Sequence, residues 1–115
     1  RSQPGQSSNY HNHSNCVYSG VLYLATPINC GGISFLDYFD KPTIKIIPTK
    51  YTLHNAKELT FNPKAKTIYF FPSEIHHKIL PNHSNEVRLS LAFNFFPSGQ
   101  LGNSDSDGFI NVGVR

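Results

Sequence analysis

Residues 87–96 read VRLSLAFNFF. Strict alternation puts Arg88, Ser90, Ala92 and Asn94 on one side of an extended chain, and Leu89, Leu91, Phe93 and Phe95 on the other. A period of two sustained over this length belongs to a strand, not to a helix. A small, polar face opposite an aromatic one is what a strand lining a wet pocket shows, provided its aromatic side packs on another layer.

Working outward, the same chemistry recurs. VYSGVLYLA (17–25) reads as a strand ended by Pro27 and the turn NCGG. ISFLDYF (33–39) and TIKII (43–47) are short strand candidates separated by DKP. YTLHNAKELTF (51–61) is ambiguous, with a helical turn in its middle and a strand at its end. KTIYFF (66–71) is a strand stopped by Pro72, and EIHHKIL (74–80) is another, closed by the turn PNHSNE. GFINVGV (108–114) reads as an edge strand, and residues 1–10 as a loop or a weak edge. Short strands divided by Pro, Gly and Asn turns indicate an all-β sandwich or barrel.

Composition agrees. The chain has 115 residues, enough for one domain (1–115) with a real core. It contains nine Phe and six Tyr, no Trp or Met, and only 15% charged residues, a set that favours sheet over helix. No apolar run approaches the ~20 residues that cross a bilayer. The start RSQPGQSSNY lacks the apolar centre of a signal peptide, so a cytoplasmic, non-membrane protein is expected. Ten Lys and Arg are scattered along the chain and give a formal charge of +3, which does not indicate a nucleic-acid groove. Cys16 and Cys30 are expected as free thiols, since two cysteines do not make a disulfide scaffold.

The chemistry-bearing residues begin in SNYHNHSNCVYSGVLYLATP (8–27), where His11 and His13 stand two apart ahead of an apolar run. In an extended segment such a pair shares a face. With His77 of EIHHKI, three neutral imidazoles from two strands could take one face of a metal and leave other positions open. Two polar residues at the mouth of a strand would look the same. Eleven residues after His77 (88 − 77) comes RLS. Arg88 and Ser90 on one face make a carboxylate clamp, a guanidinium fork plus one further donor.

Taken together, HNHSNCVYSGVLYL, FNPKAKTIYFFPSEIHHKILPN and EVRLSLAFNF resemble the successive blocks of the 2-oxoglutarate- and iron(II)-dependent oxygenases, in the branch with HxH in place of HxD. The resemblance covers about residues 5–96 and rests on the order and spacing of the blocks together. It implies a double-stranded β-helix (jelly roll, cupin-like) with Fe(II) between its sheets and 2-oxoglutarate as cosubstrate. By position it implies His11, His13 and His77 as metal ligands and Arg88 with Ser90 on the distal carboxylate. It also implies Tyr23 and Asn94, the residue that closes the last block, as cofactor-binding. The expected activity is hydroxylation of a substrate coupled to decarboxylation of 2-oxoglutarate. Two departures stand out: Ala65 and Lys66 replace the glycine that usually precedes the TIYFF strand, and the chain starts almost at the metal motif. Upstream strands would be missing, dispensable or supplied by a partner, so homo-oligomerisation or completion of the sheet by a partner is expected.

Two rival classes remain. One is a non-enzymatic jelly roll that keeps the outline of the site. The other is a cupin-like three-His metalloenzyme that binds substrate directly on the metal. Ordinary readings apply elsewhere. His76 faces away from His77, His54 and His83 lie in loops, Tyr23 suits a core, and Arg88 could pair with Glu86. NSDSDGFIN (103–111) fits only the first half of a calcium loop, with Val114 at the place of its closing acid. Asn12-His13-Ser14 and Asn82-His83-Ser84 match the glycosylation pattern by accident. The substrate itself is not encoded in any motif.

Overall fold

A computed structural model describes residues 1–36 and 47–113. Eight strands and no helix occur among them: β1 Tyr18–Ala25, β2 Ile33–Leu36, β3 Glu58–Phe61, β4 Thr67–Pro72, β5 His76–Ile79, β6 Leu89–Phe95, β7 Gly99–Leu101 and β8 Ile110–Val112. The sheets are small and antiparallel, ordered β4-β1-β6 and β3-β2-β5, with β7-β8 as a separate hairpin. Most expected strands are present with trimmed ends. Residues 37–39 and 43–46 of two expected strands lie outside the described residues. The ambiguous 51–61 segment resolves into a turn at 53–55 followed by β3. β7 was not anticipated, because GQL carries no alternation.

The first residues form more than a loop. Ser2 and Arg88 exchange backbone hydrogen bonds, as do His11 and His77. Between them, Gly5 N–H donates to Asn82 O, Asn82 N–H to Gln6 O, and Ser8 N–H to Ile79 O. The segment thus runs antiparallel along 77–88 as an irregular edge beside β5. The buried Asn82 amide donates to Ser2 O and Glu86 O, 3.0 and 2.8 Å away, so it is no glycan acceptor.

The two three-stranded sheets pack face to face. Val21, Tyr23, Ile33 and Phe71 form the buried cluster, with Phe35, Phe61, Tyr69 and Ile79 against it. Rings interlock across the layers, Phe35 on Phe71 at 4.8 Å and Phe61 on Tyr69 at 5.7 Å, within the range of favourable aromatic pairs. The opposite face of β4-β1-β6 corrects an expectation. Leu91, Phe95, Ile68 and Phe70 are each more than half exposed, so the aromatic side of β6 packs on no second layer among the described residues. Alternation assigns residues to sides; it does not say which side is covered.

Two backbone positions matter for the site. Lys66 adopts φ of 66° in the turn before β4, a left-handed conformation that glycine takes without cost. Gly31 has φ of 72°, and a side chain there would collide with the Leu80 and Pro81 carbonyls.

Candidate metal centre

Three of the six histidines converge. One ligand nitrogen from each of His11, His13 and His77 lies within 4.8 Å of the others, the single such cluster of ligating side chains among the described residues. Ring centroids are 4.5 Å apart for His11 and His77, 5.1 Å for His13 and His77, and 5.3 Å for His11 and His13. His11 is exposed, His13 half-buried and His77 buried, so the cluster opens to solvent on one side.

Backbone pairing sets this geometry. His11 and His77 exchange N–H···O bonds of 3.0 and 2.9 Å, which fixes the two side chains on neighbouring strands at one level. Two residues on, His13 N–H donates to Ser73 O at 3.0 Å. Ser73 is anchored by a buried hydroxyl chain: its Oγ lies 2.8 Å from Ser19 Oγ, which donates to Asn94 Oδ1 at 2.8 Å.

Tautomers follow from the acceptors. His77 Nδ1 lies 3.0 Å from Ile75 O, and His11 Nδ1 lies 2.9 Å from Asn9 O. A carbonyl only accepts, so both Nδ1 atoms carry a hydrogen, and in the neutral ring the lone pair stands on Nε2. This is the second contact by which ligating histidines are usually oriented. Burial holds His77 below the ordinary imidazole pKa, against the raising effect of the Ile75 carbonyl, with neighbouring histidines adding to the depression. His13 is lowered by burial and then by His11. Neutral imidazole, the form that binds metals, is therefore favoured at both. The rings of Phe71 and Phe35 pack on His77 at 4.7 and 6.1 Å.

A polar clamp holds the chain just before His11. Tyr10 Oη–H donates to Glu58 Oε1 at 2.6 Å, Ser34 Oγ donates to the same oxygen at 2.7 Å, and Lys78 Nζ lies 3.2 Å from it. Lys78 also sits over the Tyr10 ring at 4.3 Å, a cation–π distance. Glu58 is pulled down to about 2, chiefly by the Tyr10 and Ser34 hydrogen bonds. No sequence pattern announced this cluster, since its members come from four separate segments.

The expected carboxylate-binding residues divide into two groups. Arg88 is 2% exposed and pairs with no carboxylate among the described residues: its NH1 group donates to Cys30 O, Gly31 O and Leu80 O at 2.7, 3.0 and 3.5 Å. Tyr23 is fully buried on β1, and Ser90 is its register partner on β6. Burial pushes the Tyr23 phenol up to about 12, with the Arg88 charge partly opposing. Tyr23 Oη and Arg88 Nε are the two buried polar side-chain atoms without a partner among the described residues. Asn94 lies toward the other end of β6, where its Oδ1 accepts from Ser19 Oγ. Both cysteines are free thiols.

The family model described as "Putative 2OG-Fe(II) oxygenase" matches residues 1–94. The match takes in both histidine blocks and Arg88, and the chain belongs to this 2OG-Fe(II) oxygenase family. No curated protein matches the chain. Among the described residues no helix is long and apolar enough to cross a membrane.

Proposed function

We propose that the chain is an Fe(II)- and 2-oxoglutarate-dependent hydroxylase built on a double-stranded β-helix. His11, His13 and His77 would hold the iron, and Arg88, Tyr23 and Ser90 the distal carboxylate of the cosubstrate. The observation that carries this reading is the pair of buried donors with no partner among the described residues, Tyr23 Oη and Arg88 Nε. An unpaired buried polar atom costs roughly 1–3 kcal/mol, so a fold that keeps two within electrostatic reach of each other is suited to a ligand that satisfies both. A carboxylate accepts from each at once, and the cation supplies the opposite charge.

The spacing supports the same ligand. Arg88 is held at Leu80, three residues beyond His77 and just past the end of β5, on the order of 10 Å at strand rise. A five-carbon dicarboxylate is a suitable length to lie between the two groups. Bound iron would supply the oxygen chemistry; the protein's part is positional. The backbone carbonyls on His11 and His77 fix the ring orientation and, in the neutral ring, put the hydrogen on Nδ1 and the lone pair on Nε2. The hydroxyl chain Ser73-Ser19-Asn94 fixes the loop carrying His13. Phe35 and Phe71 keep water from the inner side of His77.

A second reading has its own observation. Three neutral imidazoles leave the full ionic charge uncompensated, whereas a carboxylate in the place of His13 would reduce it. A cupin-like three-His enzyme binding an anionic substrate directly would use that charge. Anaerobic addition of Fe(II) and then 2-oxoglutarate separates the two. The oxygenase shows the visible charge-transfer band of a chelated keto acid, lost in His77→Ala and shifted to higher 2-oxoglutarate concentration in Arg88→Ala. Iron binding with no band favours the cupin-like enzyme.

A further inference from the structure

A cavity of about 250 Å³ opens beside the histidine cluster. Its walls are Phe35 and Leu36 at the end of β2, Leu59 on β3, Ala56 before it, and Ile75 in the β4–β5 turn. Two of these residues also touch His77: Phe35 through its ring at 6.1 Å, and Ile75 through the carbonyl that accepts from Nδ1 at 3.0 Å. The cavity therefore shares its wall with a candidate metal ligand. Nothing in the carboxylate clamp reaches it, since Arg88 and Tyr23 line no part of it.

Its size and chemistry narrow the occupant. Ligand sites for whole drug-sized molecules run from about 300 to 1,000 Å³, while a cavity of about 150 Å³ lined by Leu, Ile and Phe stays dry and takes benzene. The observed volume suits one hydrocarbon group of side-chain size and excludes a nucleotide. The charged residues at the site, Lys57 and Glu74, are exposed and of opposite sign, so they balance and select neither an anion nor a cation. They suit the polar flanks of a group whose centre is apolar.

We infer that this cavity is the substrate subsite of the proposed oxygenase, taking an aliphatic or small aromatic side chain and holding it next to the histidine cluster. The inference rests on the proposed function for the word substrate; binding of the hydrocarbon does not need the metal. The group can come from a free small molecule or from a peptide residue.

The test is a titration of methyl-labelled, metal-free protein with toluene, and separately with acetyl-Gly-Leu-Gly-amide, followed by NMR. Saturable shifts confined to the Leu36, Leu59 and Ile75 methyls are expected. Ala56→Phe, which fills the space, should weaken binding by roughly tenfold or more. Toluene alone binding assigns a free small molecule, and tighter binding of the blocked peptide assigns a peptide side chain. No saturable shift, or shifts at Leu24 and Leu91 on the exposed sheet face, overturns the inference. The iron and 2-oxoglutarate titration is run on the same sample. Cavity binding without a charge-transfer band removes the oxygenase reading and keeps the subsite; a band without cavity binding does the reverse.

Discussion

His11 and His77 lie directly opposite each other and exchange both of their backbone hydrogen bonds, at 3.0 and 2.9 Å. Sixty-six positions (77 − 11) separate them in the sequence. The pairing that makes the N-terminal segment an edge of the sheet is the same pairing that juxtaposes two imidazoles. Assembly of the cluster is thus tied to docking of residues 2–11.

His13 decides the charge of the site. Replacing it by aspartate gives two imidazoles and a carboxylate, the set with which non-haem iron oxygenases are associated. His13→Asp should bind Fe(II) more tightly, by about tenfold, because the acid offsets part of the ionic charge. Anaerobic competition with a chromophoric chelator measures this. Equal or weaker binding would show that the His13 ring is not directed at the ion.

Tyr23→Phe separates ligand binding from stability. Removing an unsatisfied buried hydroxyl should leave the ligand-free fold equally stable or more stable, by up to about 1 kcal/mol. Affinity for 2-oxoglutarate should fall at the same time. Urea unfolding and a 2-oxoglutarate titration give the two numbers. A destabilised variant with unchanged affinity would make Tyr23 a core residue and nothing else.

The Tyr10–Glu58–Lys78 clamp predicts a pH dependence. Glu58 is depressed from 4.5 to about 2 in the folded chain. Its stabilising contribution is complete above 4.5 and is lost as pH falls toward about 2, because the unfolded state takes up the proton first. Glu58→Gln should flatten the stability profile in that acid window and change little near neutrality beyond a constant offset. Superimposable wild-type and variant profiles between these limits would rule the clamp out as the cause.

Lys66 predicts a gain. Its φ of 66° is strained for a residue with a Cβ by about 1 kcal/mol, and its backbone N–H is tied to Tyr23 O at 2.8 Å. Lys66→Gly should raise stability by roughly 0.5 kcal/mol or more, after the added freedom of the unfolded glycine is subtracted. Chemical denaturation reads the change, and a loss of stability would mean that the Lys66 side chain makes a compensating contact.

Much of the site was legible before any fold was known. Alternation in VRLSLAFNFF set Arg88 and Ser90 on one face, and the spacing of two in HNH paired His11 with His13, because a strand repeats every two residues whatever surrounds it. Choosing His77 over His76 followed from the FPSEIHHK block, and burial of His77 agrees with it. Alternation also put Asn94 on the face of Ser90, but it does not say which neighbours each meets: Asn94 is paired with Ser19 and Ser90 with Tyr23.

What the sequence determined by itself is local: all-β periodicity, turns at Pro and Gly, and which side chains share a strand face. Covalent geometry and residue chemistry suffice for these. Only the tertiary structure decided that residues 2–11 dock along 77–88, that Glu58 gathers Tyr10, Ser34 and Lys78, and that Leu59, Ile75 and Phe35 enclose a cavity beside His77. Likewise, only the folded chain buries Tyr23 Oη and Arg88 Nε without a partner among the described residues. Each of these depends on contacts between segments far apart in the chain, whose loop-closure entropy is offset by packing of the whole sandwich and is recorded in no single stretch of residues.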